Sequence, residues 1–341
     1  MGVVLQEALS RKFGPNRNAH GAGMTTPSST VIPRRGYLYV TVAAVLWAVS
    51  GSSAKFLFNS GITAFELVQM RLLFAAGVLF LWLVWRKPAL LRIRAGDIAY
   101  FMVLGIVGMA MVQFTYLYTI SKIKVAAAIL LEYLAPAFIA LYAVVFAREK
   151  LTRTTLLAVL GATAGCYLVV GAYNLDLLSL NKAGIISGLL SAVSYAWYAV
   201  HGERGMRRYP PWTVHFYSLL FAALFWNIVI PPLQFIHQSY SPVEWVLIGY
   251  IAILGTLIPF GLYLESINLI RSTRASITAT LEPIIAGLIA YLFLGETLEF
   301  LQLLGGILVI ASLVLLQLQR ESDEKTPARI RAARQSISDL K

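Results

Sequence analysis

Charge is scarce in this sequence. Asp, Glu, Lys and Arg make up 13% of 341 residues, against 58% hydrophobic residues. A water-facing surface on a chain of this size needs far more charge, so a soluble globular protein is excluded. Cysteine is almost missing too: the single Cys166 excludes an internal disulfide and a thiolate metal cluster. The four histidines are scattered, with no carboxylate at metal-ligand spacing, so no metal is expected. No segment matches GxxxxGK[ST], which removes a P-loop for ATP, and no other cofactor is expected. Ser52-x-x-Lys55 fits the SxxK pattern, but it lies in an apolar run without the companion motifs of a nucleophilic serine. Long polar loops are absent as well. That argues against a membrane enzyme with interfacial catalytic loops and against a receptor with an output domain.

What remains is apolar sequence in blocks. The mean hydropathy is +0.72, and ten runs are each about 20 residues long, the length that crosses about 30 Å of hydrocarbon. They fall near 37–57, 65–85, 98–119, 125–146, 154–173, 183–202, 212–232, 245–266, 275–294 and 300–318. The expected fold is an all-α membrane protein of ten transmembrane helices. With the N-terminus placed in the cytoplasm, 23 Lys/Arg fall on the cytoplasmic side and three, Lys122, Lys124 and Lys182, on the other. Loops rich in Lys/Arg stay inside, so both termini are expected in the cytoplasm. The net charge of +12 then reports topology and attraction to anionic lipid, with no nucleic acid implied.

The tails carry little chemistry. Residues 1–35 have no apolar signal-peptide core, and MGVVLQ has Gln at position 6, where myristoylation wants Ser or Thr. Met24 is a second candidate start. The ending RESDEKTPARIRAARQSISDLK, in 320–341, is expected as a solvated cytoplasmic tail, helical in part after Pro327.

An internal repeat organises the rest. A shift of 147 residues lays LLFAA at 72–76 on LLFAA at 219–223, Tyr116-Leu117 on Tyr263-Leu264, Pro136 on Pro283, and Glu149-x-Leu151 on Glu296-x-Leu298. Each half holds five spans, an odd number, so the halves are expected in opposite orientations: 36–173 and 183–319 as inverted repeats. Such repeats mark secondary transporters, with the site near the midplane at interrupted helices. Pro136 and Pro283 direct attention to spans 4 and 9.

The first-span tryptophan in AAVLWAVSGSSAK, the stretch LEYLAPAFIALYAVVFAREKL and the stretch TLEPIIAGLIAYLFLGETL together resemble the EamA-type branch of the drug/metabolite transporter superfamily. The resemblance covers about 36–319. It implies ten helices, with spans 5 and 10 peripheral and the other eight around a central cavity. It also implies transport of small metabolites, often export of amino acids or related compounds. It leaves the cargo open, because the wider superfamily also carries nucleotide sugars, sugar phosphates and drugs.

The candidate site starts from charges that do not belong in hydrocarbon. A carboxylate at the centre of a membrane helix costs about 2.5–3.5 kcal/mol, so Glu132 and Glu282 are candidates for binding a cationic group or carrying a proton. Their bland reading is an interhelical hydrogen bond. Arg71 is the natural counter-charge, or a snorkelling residue; Lys55 and Glu66 are expected near the interface. Trp47, Gln113, Tyr116, Tyr133, Tyr195, Tyr198 and His215 are candidate cavity residues, though such aromatics are more often packing. Both charge signs among aromatics suggest a small zwitterion. Gly161-x-x-x-Gly165 and Gly305-Gly306 permit close helix approach, for internal packing or for a homodimer.

The expected function is a secondary transporter in the plasma membrane that moves an amino-acid-like metabolite outward by alternating access, with or without proton coupling. The alternative is a broad-specificity efflux carrier for hydrophobic or cationic compounds, against which a cavity arginine argues.

Overall fold

The computed structural model describes residues 34–148, 152–174, 181–231, 235, 238–294, 299–318 and 326–339. The start candidate Met24 and the repeat motifs Glu149-x-Leu151 and Glu296-x-Leu298 lie outside the described residues. The chain is helical, with no strand among the described residues. In hydrocarbon every backbone N–H and C=O must be satisfied within the segment, and helices do that.

In chain order the helices are α1 (Arg34–Asn59), α2 (Ala64–Arg86), α3 (Ile98–Val103), α4 (Met111–Lys122), α5 (Val125–Glu132), α6 (Ala135–Val145) and α7 (Arg153–Val169). They continue with α8 (Lys182–Met206), α9 (Pro211–Val229), α10 (Pro242–Ala252), α11 (Ile258–Ala279), α12 (Leu281–Leu294), α13 (Phe300–Leu318) and α14 (Pro327–Asp339). π-helical turns at Leu104–Ala110 and Ile253–Leu257 join α3 to α4 and α10 to α11. Among the described residues eight helical runs are long and apolar enough to cross a membrane, and α7 is a shorter apolar helix. Large apolar side chains stand exposed on the outer surface, among them Trp85, Phe146, Ile228 and Phe300. This is the surface of a multi-pass membrane protein.

Two departures from the sequence reading matter for the site. The expected loop between 266 and 275 is a single residue. Pro242–Ala279 forms one helical run of 38 residues, about 57 Å at 1.5 Å per residue and too long for one crossing. Arg271 divides it, with φ 69° and ψ 163°, a conformation that costs a non-glycine residue of order 1–3 kcal/mol. The second departure is that the C-terminal segment does not simply trail in solvent. Arg331 on α14 donates to Asn268 Oδ1 at 3.0 Å, to the Tyr209 carbonyl at 3.3 Å and to the Met206 carbonyl, which docks the helix on the ends of α8 and α11.

Helix ends and close contacts follow local rules. Thr63 and Glu66 form a capping box at the start of α2, and Ser241 and Glu244 another at α10. Glu66, expected at the interface, is buried and also accepts from Gln238 Nε2 at 2.6 Å. The glycine pairs meet inside the chain: a Cβ on Gly165 would stand 2.9 Å from the Gly305 carbonyl, and one on Gly305 would stand 2.7 Å from the Gly165 carbonyl. Only bare backbone lets α7 and α13 approach this closely.

Candidate functional site

Two interrupted helices build the site. α5 ends at Glu132 and α6 begins at Ala135, with Tyr133 and Leu134 between them. α11 ends at Ala279 and α12 begins at Leu281, with Thr280 between them. Pro136 is the second residue of α6 and Pro283 the third of α12. A proline in the first turn of a helix gives up an N–H that has no intrahelical partner in any case. Each proline therefore stands in the first turn of a new helix, just after the break it pointed to in the sequence. The break lets polar side chains and helix ends meet at membrane depth, which is tolerated only where they face protein or a cavity.

A narrow cavity opens at these breaks, with a volume of about 30 Å³. Its charged lining is Glu132, Glu282 and Arg71; its aromatic lining is Trp47, Tyr116, Tyr133, Tyr195 and Phe260. Gln113 and Pro136 complete the residues expected from the sequence, and Phe260, Ser50, Val112, Gly255 and Ser276 were not foreseen. These last are small or unremarkable in a sequence and become visible only when helix rotation is known. Pro283 is not among the lining residues.

The polar contacts are specific. Ser191 Oγ donates to Glu132 Oε1 at 3.0 Å, and Glu132 itself is half-buried. Tyr133 Oη lies 2.7 Å from Glu282 Oε2 and 2.8 Å from the Ala279 carbonyl. Arg71 Nε donates to Thr256 Oγ1 at 2.8 Å, and Nη2 to the Gly255 carbonyl at 3.3 Å. The expected pairing of Arg71 with Glu132 or Glu282 is replaced by these neutral acceptors, which the π-helical turn at Ile253–Leu257 turns toward it. Trp47 packs edge-on against Phe260 at 5.0 Å and Tyr263 at 5.7 Å between centroids. Its Nε1 is buried with no hydrogen-bond partner among the described residues.

Two expected residues stay out of the cavity. His215 is fully buried on α9, and its Nε2 lies 2.9 Å from the Leu257 carbonyl. Tyr198 is fully buried, with its hydroxyl 3.4 Å from Ser218 Oγ. Tyr198 Oη and His215 Nε2 are thus used in contacts between helical segments, while His215 Nδ1 has no hydrogen-bond partner among the described residues. Tyr195 and Tyr198 differ by three positions on α8, yet only Tyr195 turns inward. Among the described residues no group of His, Cys, Asp or Glu could hold a metal.

Two further contacts tie helix ends together. Lys55 Nζ donates to the carbonyls of Ile120 at 2.8 Å and Ile123 at 3.3 Å, so it caps the end of α4 where snorkelling was expected. Glu203, buried near the end of α8, accepts from Arg271 Nε at 3.1 Å, Ser272 N at 2.9 Å and Ser272 Oγ at 2.6 Å. Its carboxylate thereby caps the helical stretch that starts after the break at Arg271, the favoured place for negative charge.

The profile of the EamA-like transporter family matches the chain twice, over residues 34–171 and 182–318. The uncharacterized inner membrane transporter YicL of Salmonella typhimurium is 30% identical over 290 residues, covering 84% of this chain and 96% of that protein. The pseudopaline exporter CntI of Pseudomonas aeruginosa PAO1 is 24% identical over 291 residues, covering 83% of this chain and 96% of the exporter. A crystal structure at 20% identity shares the fold, with a TM-score of 0.66 over 82% of this chain and 96% of its own. With both halves matched and relatives named as transporters along their length, the chain belongs to the EamA-like transporter family and is a membrane transporter.

Proposed function

We propose that the chain is a secondary transporter that carries a small, amino-acid-like zwitterion outward through this cavity by alternating access. The observation that carries the reading is one cavity at two helix breaks whose wall holds two carboxylates and a guanidinium. In a low-dielectric wall such groups are costly unless a ligand or partner uses them. Glu132 and Glu282 would receive the cargo's ammonium group and Arg71 its carboxylate, while Trp47 Nε1 offers a free donor. A relative named as an exporter supports the outward direction.

The architecture behind this reading is ten helices as two inverted repeats, 36–173 and 183–319, with both termini cytoplasmic. Three observations support it. Adding 147 to Tyr133 gives Thr280, so the two helix breaks fall at equivalent places. Adding 147 to Leu104–Ala110 gives 251–257, which contains the second π-helical turn, Ile253–Leu257. The interloop contacts also sort by side. Asp97 pairs with Arg208 and Tyr209, and Glu203 with Arg271, all on the expected cytoplasmic side. Glu66 pairs with Gln238 and Tyr173 with Glu299, all on the expected outer side.

Alternating access needs each side to close in turn. Lys55 on α1 and Glu203 on α8 are candidate latches, one toward each face. Their positions are nearly equivalent, since adding 147 to Lys55 gives Gly202, the neighbour of Glu203. Proton coupling has one specific support: the Tyr133 hydroxyl has a single proton for two close acceptors, Glu282 and the Ala279 carbonyl. A proton on Glu282 lets the carboxyl donate to Tyr133 while Tyr133 donates to Ala279, so both contacts are satisfied.

The second reading is a broad carrier for hydrophobic cations, favoured by the aromatic wall with two carboxylates. Counterflow into proteoliposomes with labelled amino acids beside a labelled organic cation separates the two. Exchange of amino acids supports the zwitterion site; exchange of the cation alone selects the second reading.

A further inference from the structure

A second cleft lies far from the cavity in the sequence of its walls. It has a volume of about 560 Å³, and three separate segments converge on it: the turn after α2, the end of α8 and α14. Six arginines line it, Arg92, Arg94, Arg207, Arg208, Arg331 and Arg334, against one acid, Asp97. Loops rich in Lys/Arg are expected at a cytoplasmic face, but topology asks only for charge on the right side. It does not ask that arginines from three segments point into one concavity.

The cleft is built. Asp97 braces its floor, accepting from Arg208 Nη1 at 3.1 Å and from Tyr209 Oη at 2.6 Å. The Tyr209 oxygen accepts in turn from the Arg94 backbone N–H at 3.1 Å. Burial and the bond to Asp97 hold the Tyr209 hydroxyl above its ordinary value, so it remains a donor. Arg331 anchors α14 through Asn268 and the Tyr209 carbonyl. Arg331, Arg334 and Gln335 share one helical face by their spacing of three and four. Asp97 is thus engaged, Arg207 pairs with Glu203 at 3.8 Å and Arg331 faces the Glu265 carboxylate, which leaves Arg92, Arg94 and Arg334 as the excess charge. Arg92 and Arg334 are exposed, and their side chains make no hydrogen bond or ion pair among the described residues. Arg207 pairs with Glu203 through Nη2, and only its Nε is buried without a hydrogen-bond partner among them.

Excess guanidinium groups converging on one space repel one another unless an anion sits between them. The planar guanidinium fork matches phosphate oxygens in pairs, and basic pockets beside membrane helices take anionic head groups. We propose that this cleft binds a phosphate-bearing anion of at least two negative charges, whether a phospholipid head group or a soluble phosphate compound. The site is separate from the cargo cavity and stands whatever the cargo is.

The test uses the purified full chain in a neutral detergent and reads the thermal unfolding midpoint. Two probes are titrated, inorganic pyrophosphate and diphosphatidylglycerol, with phosphatidylcholine and added chloride as controls. Arg92→Gln/Arg334→Gln removes two rim charges that hold no partner. Arg204→Gln removes an exposed arginine outside the cleft. The expected result is a rise in midpoint for wild type and Arg204→Gln, with the double variant needing at least about tenfold more probe. A response to pyrophosphate identifies a soluble phosphate compound as the ligand, and a response to diphosphatidylglycerol alone identifies a lipid head group. No response to either probe, or an equal loss in Arg204→Gln, overturns the proposal.

Discussion

The Tyr133 hydroxyl stands 2.7 Å from a Glu282 carboxylate oxygen, and that contact joins the breaks of two helices whose ends meet in the middle of the chain's apolar core. Tyr133 occupies the break after α5, and Glu282 is the second residue after the break at Thr280. If Glu282 cycles a proton during transport, this tyrosine sets where the carboxyl rests. Tyr133→Phe is expected to lower proton-gradient-driven uptake by about tenfold, in line with the loss of a hydrogen bond to a charged group. It should leave gradient-independent exchange less affected. Uptake into proteoliposomes with and without a pH gradient checks this, and equal losses in both modes would assign Tyr133 to structure alone.

Arg71 reaches Thr256 through Nε and the Gly255 carbonyl through Nη2. A lysine has one nitrogen and cannot span both acceptors. Arg71→Gln is therefore expected to raise the KM for a zwitterion at least about tenfold, and Arg71→Lys should fail to restore it. A KM unchanged in both variants removes Arg71 from the binding wall.

Glu203 collects three hydrogen bonds from Arg271 and Ser272 and holds the strained break at Arg271. Glu203→Ala removes those three bonds from a buried site and is expected to cost about 3 kcal/mol. The reading is a lower thermal unfolding midpoint together with slower turnover. Lys55→Met, which releases the end of α4, should slow turnover with a smaller loss of stability, about 1–2 kcal/mol.

Gly305 faces the Gly165 carbonyl, and a Cβ there would stand 2.7 Å from it. Gly305→Leu should part α7 from α13 and cost about 1–3 kcal/mol or more. Because neither helix lines the cavity, exchange per folded molecule should stay near wild type. A variant that is stable but inactive would show that the outer helices take part in transport.

The sequence made the all-helical membrane class and the intramembrane charges readable for simple reasons. Apolar blocks of membrane length have no other use, and Glu132, Glu282 and Arg71 are costly there unless they face something polar. The prolines marked the breaks, though as helix starts, because a first-turn proline and a kinking proline look alike in a string. Rotation was not legible. Tyr195 and Tyr198 both look like cavity residues, and His215 does too, until packing turns the latter two toward neighbouring helices. The partners of Arg71 were hidden because a π-helical turn has no sequence signature. Glu203 was missed since an acid near a helix end reads as solvated, and only the fold brings Ser272 to it. The docking of α14 was equally invisible: its arginines resemble those of any basic tail.

The central claim is that the charged cavity binds and moves a zwitterion. Its most direct test is counterflow of labelled amino acids into proteoliposomes at equal pH on both sides, with wild type beside Glu132→Gln and Arg71→Gln. The account predicts exchange by wild type and a fall of at least about tenfold in each variant. Exchange by both variants at the wild-type rate, or no exchange of any amino acid by wild type, would contradict it.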